Sequence, residues 1–393
     1  MGSFNSRLPS TFKAFMRIVI ISHTEHYKST EGVIKGWGST IRELNHVAEI
    51  CDELIHLAPL HNDLPPDSSL SYTSNKIQFV ALKPSGGKGL KKLSIIQTAL
   101  HNLKLIHKYT KSADYAQFRA PTGMGLYVLP YLKLFRSNSY WIKYAGNWID
   151  PEMPLGNRIQ KYWLKNIDRK VKVTINGRWE SNPRFIPFEN PSLTSEEHLI
   201  GKDIINDKIK NSPDKFRLIF VGSLNRHKGV HLIIDTFIKL KNKSCFSEIL
   251  FVGDGAERKV FEKSAKQIDF PIHFLGHCSK EKVAELLARS HVLLLPSKSE
   301  GFPKVVGEAM NFGCIPIVSD VSCLSDYIKT GENGLVLDDL SSDAIWSALE
   351  TISKWSLSDY HMALKKNAGL ASRFTYQHYN FALKSKILRS DKR

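Results

Sequence analysis

The chain of 393 residues lacks the features that mark several common classes of protein. It has only five cysteines, which are scattered and form no C-x-x-C pair, so we expect reduced thiols rather than a disulfide framework or a zinc site. Residues 1–15 lack the apolar segment of a secretory signal. The longest apolar runs, such as residues 291–296 and 123–132, fall well short of the ~20 residues that span a bilayer. These absences predict a cytoplasmic protein that is not integral to a membrane.

Acidic residues are scarce relative to basic ones, and the imbalance is concentrated in one half of the chain. Residues 1–180 hold 25 Lys or Arg against 13 Asp or Glu, a net charge of +12, whereas residues 181–393 hold 30 against 25, a net charge of +5. The first half is therefore expected to meet something anionic: nucleic acid, a membrane surface or a phosphorylated substrate. Because the sequence contains no recognised nucleic-acid-binding module, nucleic acid is not expected as a partner.

Buried-strand patterns alternate with helical patterns along most of the chain, as in parallel sheets covered by helices on both faces. The pattern stops at a proline-rich segment, residues 183–191, and then restarts. The sequence therefore predicts an α/β protein of two doubly wound, Rossmann-like domains facing a cleft, with boundaries at 16–187 and 188–374. The predicted strands lie at residues 17–21, 54–58, 77–82, 140–145, 171–175, 216–221, 248–252, 272–275, 291–296, 315–318 and 334–337.

Residues 296–316 carry the strongest functional signal. A strand ends at Pro296, and the next proline, Pro303, favours the first turn of a helix that contains Glu308. The free N–H groups and positive dipole of such a helix end suit a diphosphate or a sugar hydroxyl. Carboxylates accept hydrogen bonds from hydroxyl groups, so Glu300 and Glu308 are candidates to hold a sugar and a ribose; alternatively, Glu308 is an ordinary solvated helix residue. The residues expected around this helix end are Gly301, Phe302, Pro303, Lys304 and Val305.

Glu300 and Glu308, with seven residues between them, resemble the E-x7-E motif of the large retaining glycosyltransferase family four. Four further segments resemble parts of that family, in the right order and each placed after a predicted strand. The resemblance implies the GT-B fold and a retaining enzyme of the hexosyltransferase type, such as those of bacterial polysaccharide biosynthesis. The four segments are FVGSLNRHKG at 220–229, FVGDGAER at 251–258, IHFLGH at 272–277 and GENGL at 331–335.

The same resemblance implies that a nucleotide-sugar donor binds to the C-terminal half. Lys228, with Arg226, would hold the diphosphate of the donor. Glu300 would hold the transferred sugar, and Glu308 would hold the ribose. Further donor contacts are expected at Gly222, Ser223, Gly253, Gly276 and His277.

The N-terminal half resembles the family only in its first strand and in a loop that contains Gly36 and Gly38, before a helical pattern over residues 40–55. The two glycines would let the backbone approach the donor phosphates. This half would bind the acceptor, expected to be a glycan or a lipid-linked glycan. In the family the last helix crosses back to the first domain, and residues 375–393 are its candidate here.

Two residues depart from the family pattern. Ser223 stands where the family usually has an arginine that contacts a phosphate, and Arg226, three residues on, is the candidate to replace it. Arg119, in the segment AQFRAP, stands where the family commonly has a catalytic-site histidine near the end of a strand, so it is the candidate catalytic residue of this half. The chain also has no D-x-D motif, the aspartate pair with which many other glycosyltransferases hold a divalent metal. We therefore expect an enzyme without a metal or other cofactor, in which cationic side chains and a helix end stabilise the leaving diphosphate.

Alternative interpretations are a GT-B sugar-nucleotide epimerase, a catalytically inactive sugar-binding homologue and a nucleic-acid-binding protein that uses the basic half. Residues 83–111 add a membrane surface to the possible partners, because they contain seven lysines and no acidic residue. Their apolar residues at three- and four-residue steps are compatible with core packing. Their basic face fits either an anionic membrane, which would make the protein peripheral on the cytoplasmic side, or solvent.

Overall fold

The computed structural model describes residues 15–86, 94–135, 139–168, 170–239 and 243–388. These residues form two sheets, each covered by helices. The N-terminal half contains β1 (Arg17–Ile21), β2 (His26–Lys28), β3 (Ile34–Trp37), α1 (Gly38–Val47), β4 (Glu53–His61), β5 (Ser69–Ser71), β6 (Ile77–Leu82), α2 (Ser94–Thr110), β7 (Tyr115–Ala120), α3 (Gly125–Phe135), β8 (Ser139–Tyr144), α4 (Leu155–Lys165), β9 (Lys172–Ile175) and β10 (Phe185–Pro187).

The C-terminal half begins with a helix and then alternates strands and helices. Its elements are α5 (Ser195–Lys210), β11 (Phe216–Val221), α6 (Val230–Lys239), β12 (Phe246–Val252), α7 (Arg258–Ala265), β13 (Ile272–Gly276), α8 (Lys280–Arg289), β14 (Val292–Leu295), α9 (Lys304–Asn311), β15 (Ile315–Ser319), α10 (Leu324–Tyr327), β16 (Leu335–Leu337), α11 (Ser342–Ser353), α12 (Leu357–Ala371) and α13 (Tyr376–Ala382).

Both sheets have the strand order of a doubly wound Rossmann-like domain. The smaller sheet runs β13-β12-β11-β14-β15-β16, with all of its strand pairs parallel. The larger sheet contains the parallel series β6-β4-β1-β7-β8-β9-β10, in which the order again reverses beside the first strand. Ligands in such sheets bind at this reversal, beyond the carboxyl ends of the strands. The fold predicted from the sequence is confirmed, whereas the exact domain boundaries stay a prediction.

The sequence did not predict a small antiparallel extension of the larger sheet. Strand β3 pairs antiparallel with β2 and with β5, so Gly36 lies in a strand and not in the expected loop. A Cβ atom on Gly36 would lie 2.5 Å from the buried His26 ring, which explains the glycine by packing. The proline-rich segment is also only partly a linker, because Phe185–Pro187 pair with β9 and the Phe185 side chain is buried.

Two buried histidines connect this extension to the sheet. Nδ1 of His26 lies 2.8 Å from the carbonyl oxygen of Thr24, and its Nε2 lies 2.8 Å from the hydroxyl of Tyr72. The same hydroxyl lies 2.6 Å from Nδ1 of His56, whose Nε2 lies 2.7 Å from the hydroxyl of Ser22. Because the Thr24 carbonyl can only accept, neutral rings complete one directed chain of hydrogen bonds: Ser22 donates to His56, His56 to Tyr72, Tyr72 to His26, and His26 to Thr24.

The helices of the N-terminal half divide between the two faces of its sheet. Helices α2, α3 and α4 bury side chains such as Ile106, Leu129 and Leu164 in the core on one face. Helix α1 and the C-terminal helix α13 pack on the other, where Leu44 and Tyr379 share a second core. The chain therefore returns to its first half at α13, while residues 389–393 of the expected final helix lie outside the described residues. Within the described ranges, no helix is both long and apolar enough to cross a membrane.

Candidate functional site

The loops that follow β11 and β14 meet at the strand reversal of the smaller sheet. The side chain of Asn225 accepts a hydrogen bond of 2.9 Å from the N–H of Lys228 and caps a short 3-10 turn. Gly229 ends this turn with a φ of 75°, and a Cβ atom there would lie 2.1 Å from the carbonyl oxygen of Pro296. Glycine thus permits the close approach of the two loops. As a result the ammonium of Lys228 forms an ion pair with the carboxylate of Glu300.

Helix α9 begins directly after this second loop. Its N-terminus is preceded by Pro303 and has no side-chain hydrogen bond as a cap. Phe302 is buried against Tyr327 and Phe374, which fixes the loop that leads into the helix. The uncapped N–H groups of the first turn remain suited to an anion or a hydroxyl oxygen, as predicted for the segment that includes Gly301 and Val305.

Glu308 lies on the second turn of α9, half-buried among charged residues of both halves of the chain. Burial raises the pKa of its carboxyl above the ordinary value. The cations of Lys280 and Lys304 oppose this rise, and so does that of Arg42 on α1. The carboxylate therefore lies in a poorly solvated position, where hydrogen bonds from ligand hydroxyls would replace those of water.

Arg119, predicted as a catalytic residue, lies in a buried cluster of the N-terminal half, and its role in the reaction stays a prediction. Oε1 of Glu43 accepts hydrogen bonds from Arg119 at 2.8 Å, from Lys143 at 2.6 Å and from the Tyr379 hydroxyl at 3.1 Å. Burial alone would raise the pKa of Glu43, but the nearby cations outweigh it and hold the pKa well below its ordinary range. Burial and the Arg119 charge lower the pKa of Lys143 to about 7, although Glu43 opposes the shift.

Lys304 connects this cluster to the C-terminal half electrostatically. Its pKa is lowered by burial, while the carboxylates of Glu43 and Glu308 act in the opposite direction. From the sequence only the backbone of Lys304 was expected to take part, and Glu43 and Lys143 were not predicted. One signal was available for Glu43: it lies among Ile41, Leu44 and Val47 on α1, and an acidic residue on an apolar helix face is seldom buried without a partner.

The predicted glycine contacts lie in consecutive turns at the same edge of the sheet. A Cβ atom on Gly253, whose φ is 131°, would lie 2.0 Å from the carbonyl oxygen of Gly222. The N–H of Gly253 donates to the carbonyl of Gly276 at 2.8 Å, which aligns the turns after β11, β12 and β13. Ser223 and His277 are exposed beside these turns and are available to a ligand.

Arg226, the candidate to replace the missing arginine, is paired with an acidic residue. Its side chain is 67% exposed and lies 3.5 Å from the carboxylate of Glu257, which also accepts a hydrogen bond from the Arg226 N–H. Its contact with the donor phosphates stays a prediction. A Cβ atom on Gly38 would lie 2.7 Å from the carbonyl oxygen of Ser68, so packing explains this glycine without any phosphate.

The two halves of the chain touch beside the candidate site. A Cβ atom on Gly301 would lie 2.2 Å from the carbonyl oxygen of Ala145 in the N-terminal half. The hydroxyl of Ser299 donates to Asp150 at 2.9 Å, and Lys298 forms an ion pair of 2.8 Å with Glu152. A cavity of about 610 Å³ opens next to these contacts. Among the residues that the structure describes, no group of three or more His, Cys, Asp or Glu side chains could hold a metal ion.

Comparisons with known proteins agree with this geometry in the C-terminal half. Residues 201–369 match the family described as glycosyl transferases group 1. An uncharacterized glycosyltransferase of Methanocaldococcus jannaschii is 31% identical over 200 residues, which are 51% of this chain and 48% of that protein. The N-acetyl-alpha-D-glucosaminyl L-malate synthase of Bacillus anthracis is 32% identical over 123 residues, 31% of this chain and 32% of that enzyme. The matches thus span half or less of these relatives.

Similarity of the fold extends over nearly the whole chain. Sucrose-phosphate synthase from Thermosynechococcus elongatus superimposes with a TM-score of 0.67 at 17% identity, over 94% of this chain and 97% of that one. The Anabaena protein HepE, in complex with UDP and glucose, superimposes with a TM-score of 0.65 at 13% identity, over 95% and 99% of the two chains. The protein therefore has the GT-B fold of glycosyltransferases, and residues 201–369 are similar to the glycosyl transferases of group 1.

Proposed function

We propose that the protein is a retaining glycosyltransferase that transfers a sugar from a nucleotide-sugar donor in glycan biosynthesis. The observation that carries the proposal is the meeting of Lys228 and Glu300 at the strand reversal, with Glu308 on the helix that follows. Support also comes from the match of residues 201–369 and from the UDP and glucose bound to the Anabaena protein of the same fold.

The roles of the residues follow from their charge. The ammonium of Lys228 stabilises the negative charge that develops on the leaving diphosphate, and the free N–H groups at the start of α9 add their dipoles. Glu300 accepts hydrogen bonds from hydroxyls of the transferred sugar once the donor separates it from Lys228. Glu308 accepts those of the ribose in its half-buried position. In the retaining reaction, a leaving phosphate oxygen takes the proton of the acceptor hydroxyl, which attacks from the same face of the sugar.

We further propose that transfer requires no metal, because cationic side chains and a helix end supply the positive charge that a metal would otherwise provide. The acceptor is a glycan or a lipid-linked glycan. The net charge of +12 in residues 1–180 supports an anionic membrane surface as a partner, with the protein peripheral on its cytoplasmic side.

A thermal-shift screen of UDP, GDP, ADP and their sugars tests the donor site. A ligand present at 100 times its dissociation constant stabilises the folded state by about 2.7 kcal/mol, so a true donor should clearly raise the midpoint temperature. Glu308→Ala should abolish the shift, and Glu350→Ala, an acidic residue on α11, serves as the control. The absence of any nucleotide-dependent shift would refute the donor site.

Product analysis with the nucleotide sugar found in the screen separates the remaining alternatives. Transfer to an added glycan or lipid-linked acceptor, with the anomeric configuration kept, supports the proposal. Release of free sugar without any acceptor would indicate an epimerase. Binding without turnover would indicate an inactive sugar-binding homologue.

A further inference from the structure

The outer surface of helices α2, α3 and α4 exposes an unusual set of large apolar side chains. Ile96 and Leu100 are each 74% exposed, Leu134 is 72% exposed and Leu155 is 73% exposed. The periodic apolar residues of 83–111 are thus only partly core residues. The buried residues of α2, such as Asn102 and Ile106, lie in its later turns, whereas Ile96 and Leu100 in its earlier turns are exposed. We call the following residues the α2–α4 face: Ile96, Leu100, Leu126, Leu134, Leu155 and Tyr162.

These side chains form one surface because the three helices cover the same face of the larger sheet, with α3 packed between α2 and α4. On α3, Leu126 and Leu134 are eight residues apart, which places them about 80° apart around the axis, on one side of the helix. Between α3 and α4 the surface deepens into an apolar groove of about 470 Å³, lined in part by Pro130, Leu134 and Tyr162. The apolar area is therefore continuous across the groove.

The charged side chains of these three helices all have one sign, whereas exposed acidic residues such as Glu152 and Asp168 lie in the loops that flank α4. Helices α2, α3 and α4 contain no aspartate and no glutamate. Lys104 and Lys108 are exposed on α2, and Lys133 is exposed on α3 beside the groove. Helix α5, the next helix along the chain, differs because it carries Glu196, Glu197, Asp203 and Asp207.

An apolar surface on three helices that carry lysines and no acidic residue complements an anionic lipid surface. Lysines attract lipid head groups, while leucine, isoleucine and tyrosine enter the boundary between head groups and acyl chains. A second copy of this chain fits less well, because a symmetric dimer would place the lysines of one face against those of the other.

We propose that the α2–α4 face docks on an anionic bilayer, with its apolar side chains inserted between the head groups. The proposal rests on the membrane association proposed above and specifies the surface that makes it. It differs from a purely electrostatic contact between the basic segment 83–111 and the membrane. Three lysines of that segment, Lys88, Lys91 and Lys92, lie outside the described residues. It also orients the N-terminal half toward the membrane, where a lipid-linked acceptor would be present.

Vesicle sedimentation of the full chain tests the proposal. The wild type should pellet with phosphatidylglycerol/phosphatidylcholine vesicles and much less with phosphatidylcholine alone. The variant L100S/L134S/Y162S should partition at least tenfold more weakly. The matched control, L199S/V260S/L357S, changes side chains on helices of the C-terminal half that are 57–62% exposed, and it should bind as the wild type does.

A second pair of variants separates charge from insertion. K104E/K108E should weaken binding, whereas K259E/K365E, with exposed lysines on α7 and α12, should not. Wild-type binding by L100S/L134S/Y162S, with loss only in K104E/K108E, would overturn apolar insertion. Failure of the wild type to pellet would overturn membrane docking altogether.

Two further measurements separate other causes. Gel filtration should give the same size for the wild type and the serine variant; a wild-type dimer that becomes monomeric in the variant would make the face a protein interface and overturn the proposal. The nucleotide-induced thermal shift should be equal in all variants. If neither the wild type nor any variant shows a nucleotide-induced thermal shift, the proposed donor site is refuted. The vesicle sedimentation result would still decide the docking proposal.

Discussion

Lys228 and Glu300 form an ion pair between two loops that follow neighbouring strands, β11 and β14, at the reversal of strand order in the C-terminal sheet. Without a ligand each side chain compensates the charge of the other. In the proposed function, a bound donor would offer better partners for both, because a diphosphate would bind the ammonium and sugar hydroxyls would bind the carboxylate. The pair would then keep two half-buried charges in place until the donor binds.

The proposed donor contacts of Lys228 and Glu308 predict the effect of removing either side chain. Lys228→Ala and Glu308→Ala should each lower kcat/KM by roughly 100-fold, because each loses a charge-assisted hydrogen bond in a poorly solvated site. Initial rates with the donor identified by thermal shift measure the effect. Lys259→Ala, an exposed lysine on α7, is the control and should keep the wild-type rate. Wild-type rates in both alanine variants would remove the donor-site assignment.

Metal dependence gives a second prediction. Sugar transfer should continue at an unchanged rate after dialysis and in excess EDTA, because Lys228 and the start of α9 stabilise the leaving diphosphate. Loss of transfer in EDTA, with recovery on addition of magnesium or manganese, would show that a metal takes part.

The buried cluster around Glu43 predicts a structural effect for Arg119. Arg119→Ala should lower the free energy of unfolding by about 3–5 kcal/mol, because it removes one partner of a buried carboxylate. Urea denaturation measures the loss, and Arg119→Lys should recover part of it. Lys239→Ala breaks an exposed ion pair with Asp343 and should cost at most about 1 kcal/mol. If Arg119→Ala is as stable as the wild type but inactive, the residue acts in the reaction instead.

The chain of hydrogen bonds through His56, Tyr72 and His26 predicts sensitivity to acid. Burial lowers the pKa of His26 to about 4, and that of His56 also lies well below its ordinary value. An unfolded histidine takes up its proton near pH 6.5, so between pH 6.5 and 4 the unfolded state binds more protons than the native state. The free energy of unfolding should therefore decrease as the pH falls through this window, by about 3 kcal/mol for His26 alone.

Denaturation at a series of pH values measures this dependence. At neutral pH, Tyr72→Phe should cost about 1–3 kcal/mol, because it leaves two buried imidazole nitrogens without a partner. Tyr162→Phe removes the hydroxyl of an exposed tyrosine and should have little effect. Constant stability from pH 7 to 4.5 would contradict the directed chain.

Much of the fold was predictable, because its signals are local. Alternating strands and helices, and turns such as those at Gly229 and Gly253, depend on short stretches of sequence. The antiparallel extension was missed because β2, β3 and β5 are three or four residues long and are formed by pairing with one another. The position of Gly36 in a strand follows from that pairing.

The candidate site, like the fold, was predictable from the sequence only where its signals are local. The sequence by itself determined two doubly wound α/β domains and the order of the segments that carry Lys228, Glu300 and Glu308, because local patterns and spacing along the chain specify them. The resemblance of those segments to a known family implied the GT-B arrangement. Only the tertiary structure decided that Glu43 meets Arg119 and Lys143, which are 76 and 100 residues away. It also decided that residues such as Leu134 stay exposed on the α2–α4 face. Ion pairing and burial depend on which distant segments pack together, and no local pattern contains that information.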